Sequence, residues 1–560
     1  MRLPLTNAPI QATRRAILRV GRMLRPAETM LALVGVPLGR RLALWKHPAG
    51  AWAIRGLLSA KRFLAARPLV LIMSAALGLR IYRLDLLGFN SDEAVYAGQA
   101  AAIANDPALT QFFPIFRAHP LLFQYLLALI FQNGVDVVLA RTAAAVVGVA
   151  NVRLVYQLGR ELYGQRAGLL SALLLSLMPY HVVVSRQVLL DGPMTLFATL
   201  TLLLMARFAA THHPAWLYAA GAGMGLTFLA KETGIVLLGA IYTFLALSPE
   251  IRVRLRDLKL SILAMVAVIS PFPLSLALAG GASAGRNYLV WQLFRRPNHE
   301  WDFYPTTVPS AIGPLLVLAA VLGLLLLRRE RSWKEKLLFL WIAVPTLFFQ
   351  VWPVKGYQYL LPVAPAIVIL AGRSFARMVS AQDWQLLHWR VSPPRIGGLA
   401  VGLVAITLLA GTWRSIFPST SGRLLAGSGG VPGGREAGEW IAQNTPEGST
   451  LMTIGPSMAN ILQFYGHRRA YGLSVSPNPL HRNPSYDPVP NPDFSIRSGA
   501  IQYLVWDAFS AGRSTFFSEK LLRYVRRYNG RAIHTEFITV TGAKGGTTLK
   551  PVIVIYAVRP

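Results

Sequence analysis

The chain has 560 residues, of which 54% are hydrophobic and only 14% charged, with a mean hydropathy of +0.44; this balance excludes an ordinary soluble protein and points to a polytopic membrane protein. The formal charge of +32 does not make it a nucleic-acid binder, because the basic residues gather in the N-terminal arm and between apolar runs, as positive-inside topology requires. With no cysteine, disulfides, thiolate metal sites and a cysteine nucleophile are excluded.

Residues 1–67 carry Arg14, Arg15, Arg19, Arg22, Arg25, Arg40 and Arg41 with almost no acids. They read as a cytoplasmic, membrane-surface arm held by anionic lipid, or as a disordered basic tail. A bilayer core needs roughly 20 apolar residues as helix, and the first such span is 68–87. A polar first external loop, 88–134, follows, opening on Asp92-Glu93 and containing Arg117 and His119-Pro120. Its apolar run 121–131 is short and amide-bearing, and reads as an interfacial or re-entrant helix. Further spans are expected at 135–158, 167–184, 193–209, 215–229, 234–247, 258–278, 309–327, 337–351, 359–372 and 396–413, about eleven in all. On that count the clusters Arg160/Arg166, Arg252/Arg254/Arg256/Lys259, Arg328/Arg329/Arg331/Lys334 and Arg390/Arg395 are cytoplasmic, as the orientation rule asks.

The transmembrane domain then occupies 68–414. A Gly-rich linker, 415–434, leads to an extracytoplasmic α/β domain at 435–560. Helices are expected at 435–444, 457–465 and 516–528, and strands at 450–454, 503–506, 533–540 and 552–558.

Sorted by side, Asp92, Glu93, Arg117, His119, Arg186, Asp191, Lys231, Glu232, Lys355, Tyr357 and Tyr359 all fall at external ends. A charge at a helix centre costs roughly 2.5–3.5 kcal/mol on insertion scales and is usually paired or turned to a cavity. Each has a bland reading: Lys231-Glu232 as a helix-end ion pair, Asp191 as an N-cap, Lys355 as a snorkelling anchor. Their joint sidedness favours a site.

In order, Asp-Glu, His-Pro, Arg186-x-x-x-x-Asp191-x-Pro193, Lys231-Glu-Thr-Gly234 and Lys355-x-Tyr357-x-Tyr359-Leu-Leu-Pro362 resemble the GT-C glycosyltransferases. The resemblance covers 68–373 and is to the branch containing protein O-mannosyltransferases and aminoarabinose transferases. Residues 440–448 with Phe464-Tyr465 resemble the external domain of many bacterial members. This implies a multi-pass protein of the cell membrane, in keeping with the cytoplasmic N-terminus read from the basic arm. It also implies a polyprenyl-phosphate-linked sugar donor and inverting transfer to a hydroxyl of protein, lipid or glycan at the extracytoplasmic face. Asp92 takes the family's acidic position as base, with Glu93 beside it. His119, Lys231 and Lys355 become candidates to stabilise the leaving phosphate, and the remaining external residues candidates for donor or substrate binding. No cofactor is required, and no metal site is assigned. The Trp-Trp-Asp motif of oligosaccharyltransferases is absent, which argues against en bloc transfer and that family's metal. Leu121 stands where many relatives have a second proline, and some carry lysine at the place of His119. A secondary transporter and a noncatalytic envelope-assembly protein are the competing classes, since charges at membrane edges also serve transport.

Overall fold

The computed structural model describes residues 67–115, 119–278, 287–288, 290–292, 294–295, 297–327, 332–381, 384–386, 389–416, 431–489, 491–541 and 546–559. The chain divides into residues 1–72 and 73–560. Of the first unit only 67–72 are described, opening the helix Pro68–Ile81. The arm 1–66, Arg117 and most of the Gly-rich linker lie outside the described residues.

The second unit begins as a bundle of apolar helices. Among the described residues four are long and apolar enough to cross a membrane: Val137–Tyr163, Asp191–Thr211, Leu361–Val379 and Pro393–Ile416. Three bent pairs pass the same test, Gln165–Leu177 with Pro179–Ser185, Leu255–Ile269 with Pro271–Leu278, and Phe303–Ile312 with Pro314–Leu325. The packing surface shows what solvent these helices expect. On Pro393–Ile416, Val404, Leu408 and Thr412 face the bundle, while Leu399, Leu403 and Ile406 are exposed. A helix apolar on both faces requires a lipid exterior.

Each expected span has a helical counterpart, but the run 309–327 is not one straight helix. Its two halves meet at 95°, because Pro314 begins the second half without an N–H and Gly313 adopts φ +108°, open to glycine alone. The helix break at Pro179 is compensated instead: the carbonyl of Ser176 accepts from Arg80 at 3.3 Å and that of Leu177 from the Thr412 hydroxyl at 2.6 Å. Backbone groups freed inside lipid must find such partners. Leu122–Ile130 is a helix of 9 residues, about half of what a bilayer needs.

A short hairpin, β1 (Trp384–Leu386) with β2 (Trp389–Val391), precedes the last long helix. The C-terminal domain is a five-stranded sheet of β3 (Thr450–Thr453), β4 (Arg469–Gly472), β5 (Tyr503–Asp507), β6 (Arg531–Thr541) and β7 (Thr547–Ala557), in the order β4-β3-β5-β7-β6. β3 is parallel to β4 and β5, and β7 is antiparallel to β5 and β6. Alternation along the strands sends Leu451 and Val505 to one face, against Ile441 and Ile461. Met452 and Leu504 go to the other, against Leu521 and Val525. Helices therefore cover both faces, as the parallel strands require. The expected elements are present with small shifts; β4 and the short helices Pro492–Arg497 and Ala508–Arg513 are additional.

This domain is docked, not merely tethered. Its helix Pro456–Gly466 packs on the first-loop helix Ser91–Ile103. Phe464 joins the loop's own core beside Phe89 and Phe113, with ring centroids 5.1 and 6.2 Å away. The Tyr465 hydroxyl accepts from Phe89 N–H at 2.7 Å, and Asn460 donates to the Ser91 hydroxyl at 3.1 Å. Gly88 permits the approach, since a Cβ there would lie 2.6 Å from that of Arg435.

Candidate functional site

The loop helix starts with a capping box in which Asn90 accepts from Glu93 N–H and Glu93 accepts from Asn90 N–H, the reciprocal bonding that fixes a helix start. This places two adjacent carboxylates in opposite environments. Glu93 is fully buried and accepts from Arg141 at 2.8 and 2.7 Å and from Val188 N–H at 3.0 Å. Arg141 also donates to the carbonyls of Leu84, Leu87 and Gly88 at 2.7, 2.6 and 2.8 Å. Glu93 and Arg141 together fasten the loop to the Val137–Tyr163 helix.

Asp92, one residue earlier, is exposed in a recess walled by protein. That surrounding protein raises its pKa, opposed chiefly by the charge of Lys231 and also by those of Arg513 and Arg295. Arg513 comes from the C-terminal domain, lies over the Phe509 ring at 4.4 Å, and is held below the usual guanidinium range by burial, which Asp92 and Asp507 oppose.

Lys231 follows the Pro214–Ala230 helix and is paired with Asp191, the first residue of the next helix back, at 2.8 and 2.9 Å. It sits 4.8 Å from the centre of the Tyr359 ring. Asp191 thus forms an ion pair; the N-cap is Leu190. Glu232 does not pair with its neighbour but accepts from the Tyr288 hydroxyl at 3.0 Å, which accepts from Gln292 at 2.8 Å, which in turn accepts from Arg295 at 3.2 Å. His119 is buried, its Nδ1 3.1 Å from the Pro120 carbonyl, and burial lowers its pKa against the charge of Glu232. Lys355 lies 5.6 Å from the Trp301 ring centre on a segment pinned by Asn298, which exchanges two hydrogen bonds of 2.8 and 2.9 Å with the Lys355 backbone.

Two candidates serve elsewhere. Arg186 donates to the carbonyls of Leu79 and Arg80 at 2.8 and 3.1 Å, beside a separate cavity shared with Arg83, Arg141 and Ser415. Tyr357 stands edge-on to Tyr180 at 5.0 Å and accepts the Tyr180 hydroxyl on its carbonyl. Sequence reasoning missed Arg141, Tyr288, Arg295 and Arg513. Arg141 alone carried a signal, a cation inside an apolar run. Among the described residues no three His, Asp or Glu side chains converge as metal ligands.

What converges is one carboxylate open to a recess bordered by cations from the bundle and the C-terminal domain. The geometry suits proton acceptance next to a developing anion.

Residues 118–275 match the family model of dolichyl-phosphate-mannose-protein mannosyltransferases. No curated protein sequence matches the chain. Among solved structures it resembles ArnT from Cupriavidus metallidurans in the apo state, with 16% identity over 88% of this chain and 98% of that one and a TM-score of 0.64. The same protein bound to undecaprenyl phosphate matches with 16% identity over 87% and 97% and a TM-score of 0.62. The oligosaccharyltransferase AglB from Archaeoglobus fulgidus, in complex with an inhibitory peptide and a dolichol-phosphate, matches with 14% identity over 88% and 74% and a TM-score of 0.53. The chain thus has the fold of the GT-C glycosyltransferases, which are membrane proteins, carries a C-terminal sheet domain of its own, and resembles ArnT and the mannosyltransferases.

Proposed function

We propose that this protein is a membrane glycosyltransferase that moves a sugar from a polyprenyl-phosphate donor to an acceptor hydroxyl at the extracytoplasmic face, with inversion. The reading takes about eleven spans, a cytoplasmic N-terminus and an extracytoplasmic C-terminal domain. Its donor class is supported by the polyprenyl phosphates bound in two of the similar structures. The observation that carries it is the contrast within one dipeptide: Glu93 is saturated with partners, while Asp92 stays open among cations.

In the reaction, Asp92 takes the proton of the acceptor hydroxyl as its oxygen bonds to the anomeric carbon. The bond from that carbon to the phosphate oxygen breaks from the opposite side, and its electron pair leaves with the polyprenyl phosphate. Lys231, held by Asp191 with a third N–H to spare, Arg295 and Arg513 oppose the charge gathering there. Lys355 and His119 are placed by the same reading at the donor phosphate, and Glu93 positions the loop. Asp92→Asn keeps size and hydrogen bonding but not basicity. Purified variant should bind labelled polyprenyl-phosphate sugar like wild type and transfer it at least about 10²-fold more slowly. Wild-type turnover in the variant would remove Asp92 as base, and failure of the native protein to bind any such lipid would end the reading.

A further inference from the structure

A second cavity adjoins the site. It lies between the loop helix and the C-terminal domain as an open cleft, with a cavity volume of about 130 Å³. On the loop side it is lined by Val95 and Gln99, one and two turns beyond Ser91 on the same helix face. It therefore follows the helix away from Asp92 for roughly 10 Å. Asn460, which donates to Ser91, also reaches the Tyr486 hydroxyl at 3.4 Å. Tyr486 is in the cavity wall and lies within the electrostatic influence of Asp92, so the cavity wall reaches the neighbourhood of the proposed base.

Its chemistry is specific. Phe112, Tyr471 and Tyr486 supply aromatic faces, and Gln99, Asn460 and Gln463 supply neutral amides. Arg469 and Asp487 contribute one charge of each sign. No cluster of cations invites a second phosphate, and the polar lining does not suit acyl chains. The cavity also borders β4, an edge of the sheet, where an extended peptide would add as a strand. Part of that edge is already engaged within the domain, however. Ala470 N–H donates to Gln463 Oε1 at 3.1 Å, and the Gly472 carbonyl accepts from Val475 N–H at 3.1 Å. With Oε1 engaged, Gln463 has its amide NH₂ to offer a ligand.

We propose that this cavity is the acceptor subsite and that the acceptor is a neutral glycan of more than one sugar, whose ring faces lie on the tyrosines and whose hydroxyls meet the amides. The proposal rests on the transferase reading above. Its test incubates full-length protein with radiolabelled polyprenyl-phosphate hexoses and pentoses and with envelope material separated into polysaccharide, protein and lipid. Label is expected in polysaccharide. Gln463→Trp, which fills the cavity, and Tyr486→Ala, which removes a wall, should each raise the acceptor KM about tenfold or more while donor affinity and kcat stay near wild type. Label in protein or lipid overturns the proposal and leaves the transferase reading standing. Unchanged acceptor KM in both variants does the same. Absence of donor binding by the wild-type protein overturns both.

Discussion

The two ends of the helical bundle both bury charge, and they use it differently. At the end away from the loop, Glu335 accepts from the Tyr163 hydroxyl at 2.6 Å and from Ser332 N–H at 2.6 Å, and pairs with Arg373 at 3.3 Å. Lys334 donates to the Leu162 carbonyl at 2.7 Å, and Arg207 grips Glu161 at 2.6 Å. Each of these acids, Glu335 and Glu161, ties one helix to another. At the loop end Glu93 and Asp191 are spent in the same way, but Asp92 is not. That contrast between closed sets of charge and one open carboxylate is what the proposed mechanism rests on.

The strongest challenge to that contrast is Arg141→Met, which strands Glu93 in a buried position. Breaking a buried pair costs about 3–5 kcal/mol, so the variant should show a large fall in thermal midpoint in detergent and lose transfer. A stable, active variant would mean that Glu93 is not the fastening it is taken for. Lys231→Met comes next: a phosphate contact made before and during transfer affects donor affinity as well as rate, and a loss of about 10- to 100-fold in kcat/KM is expected, on the scale of removing a charged hydrogen bond. An effect on stability alone would move Lys231 into the closed class.

A pH profile sharpens the assignment. On the proposed mechanism Asp92 acts only when ionised, and desolvation by the protein around it raises its pKa. The acid limb of kcat/KM should therefore rise with pH through a value above the ordinary carboxylate range. Arg513→Met removes a cation that opposes this shift, so the limb should move to higher pH; no movement would place Arg513 outside the field of the base. The smallest effect belongs to Lys336 and Glu250, paired at 2.9 Å on the exposed surface of the opposite end. Glu250→Gln should leave both the thermal midpoint and transfer near wild type.

Much of the bundle was legible because lipid imposes a simple rule on sequence: the apolar run 193–209 lies within the helix Asp191–Thr211. The 95° turn at Gly313-Pro314 was not, since both halves are equally apolar and hydropathy carries no direction. Sidedness brought Asp92, Asp191, Lys231 and Glu232 into one neighbourhood, but it could not assign partners. Glu93 bonds a residue 48 positions away, and Arg513 enters from a domain that composition alone would set apart. The four-residue strand β4 escaped notice because Arg469 and Gly472 break any alternating pattern.

The contact of Tyr465 with Phe89 spans 376 positions, and it sets an order of events in the making of the protein. A ribosome completes the loop carrying Asp92 long before it reaches Tyr465, so the membrane receives that loop while its clamp is still unwritten. The helix start at Asn90 and the grip of Arg141 are available early; the aromatic seat supplied by Phe464 and the hydroxyl of Tyr465 are not. The full set of contacts around the loop that carries Asp92 is therefore complete only once nearly all of the chain has been translated and folded.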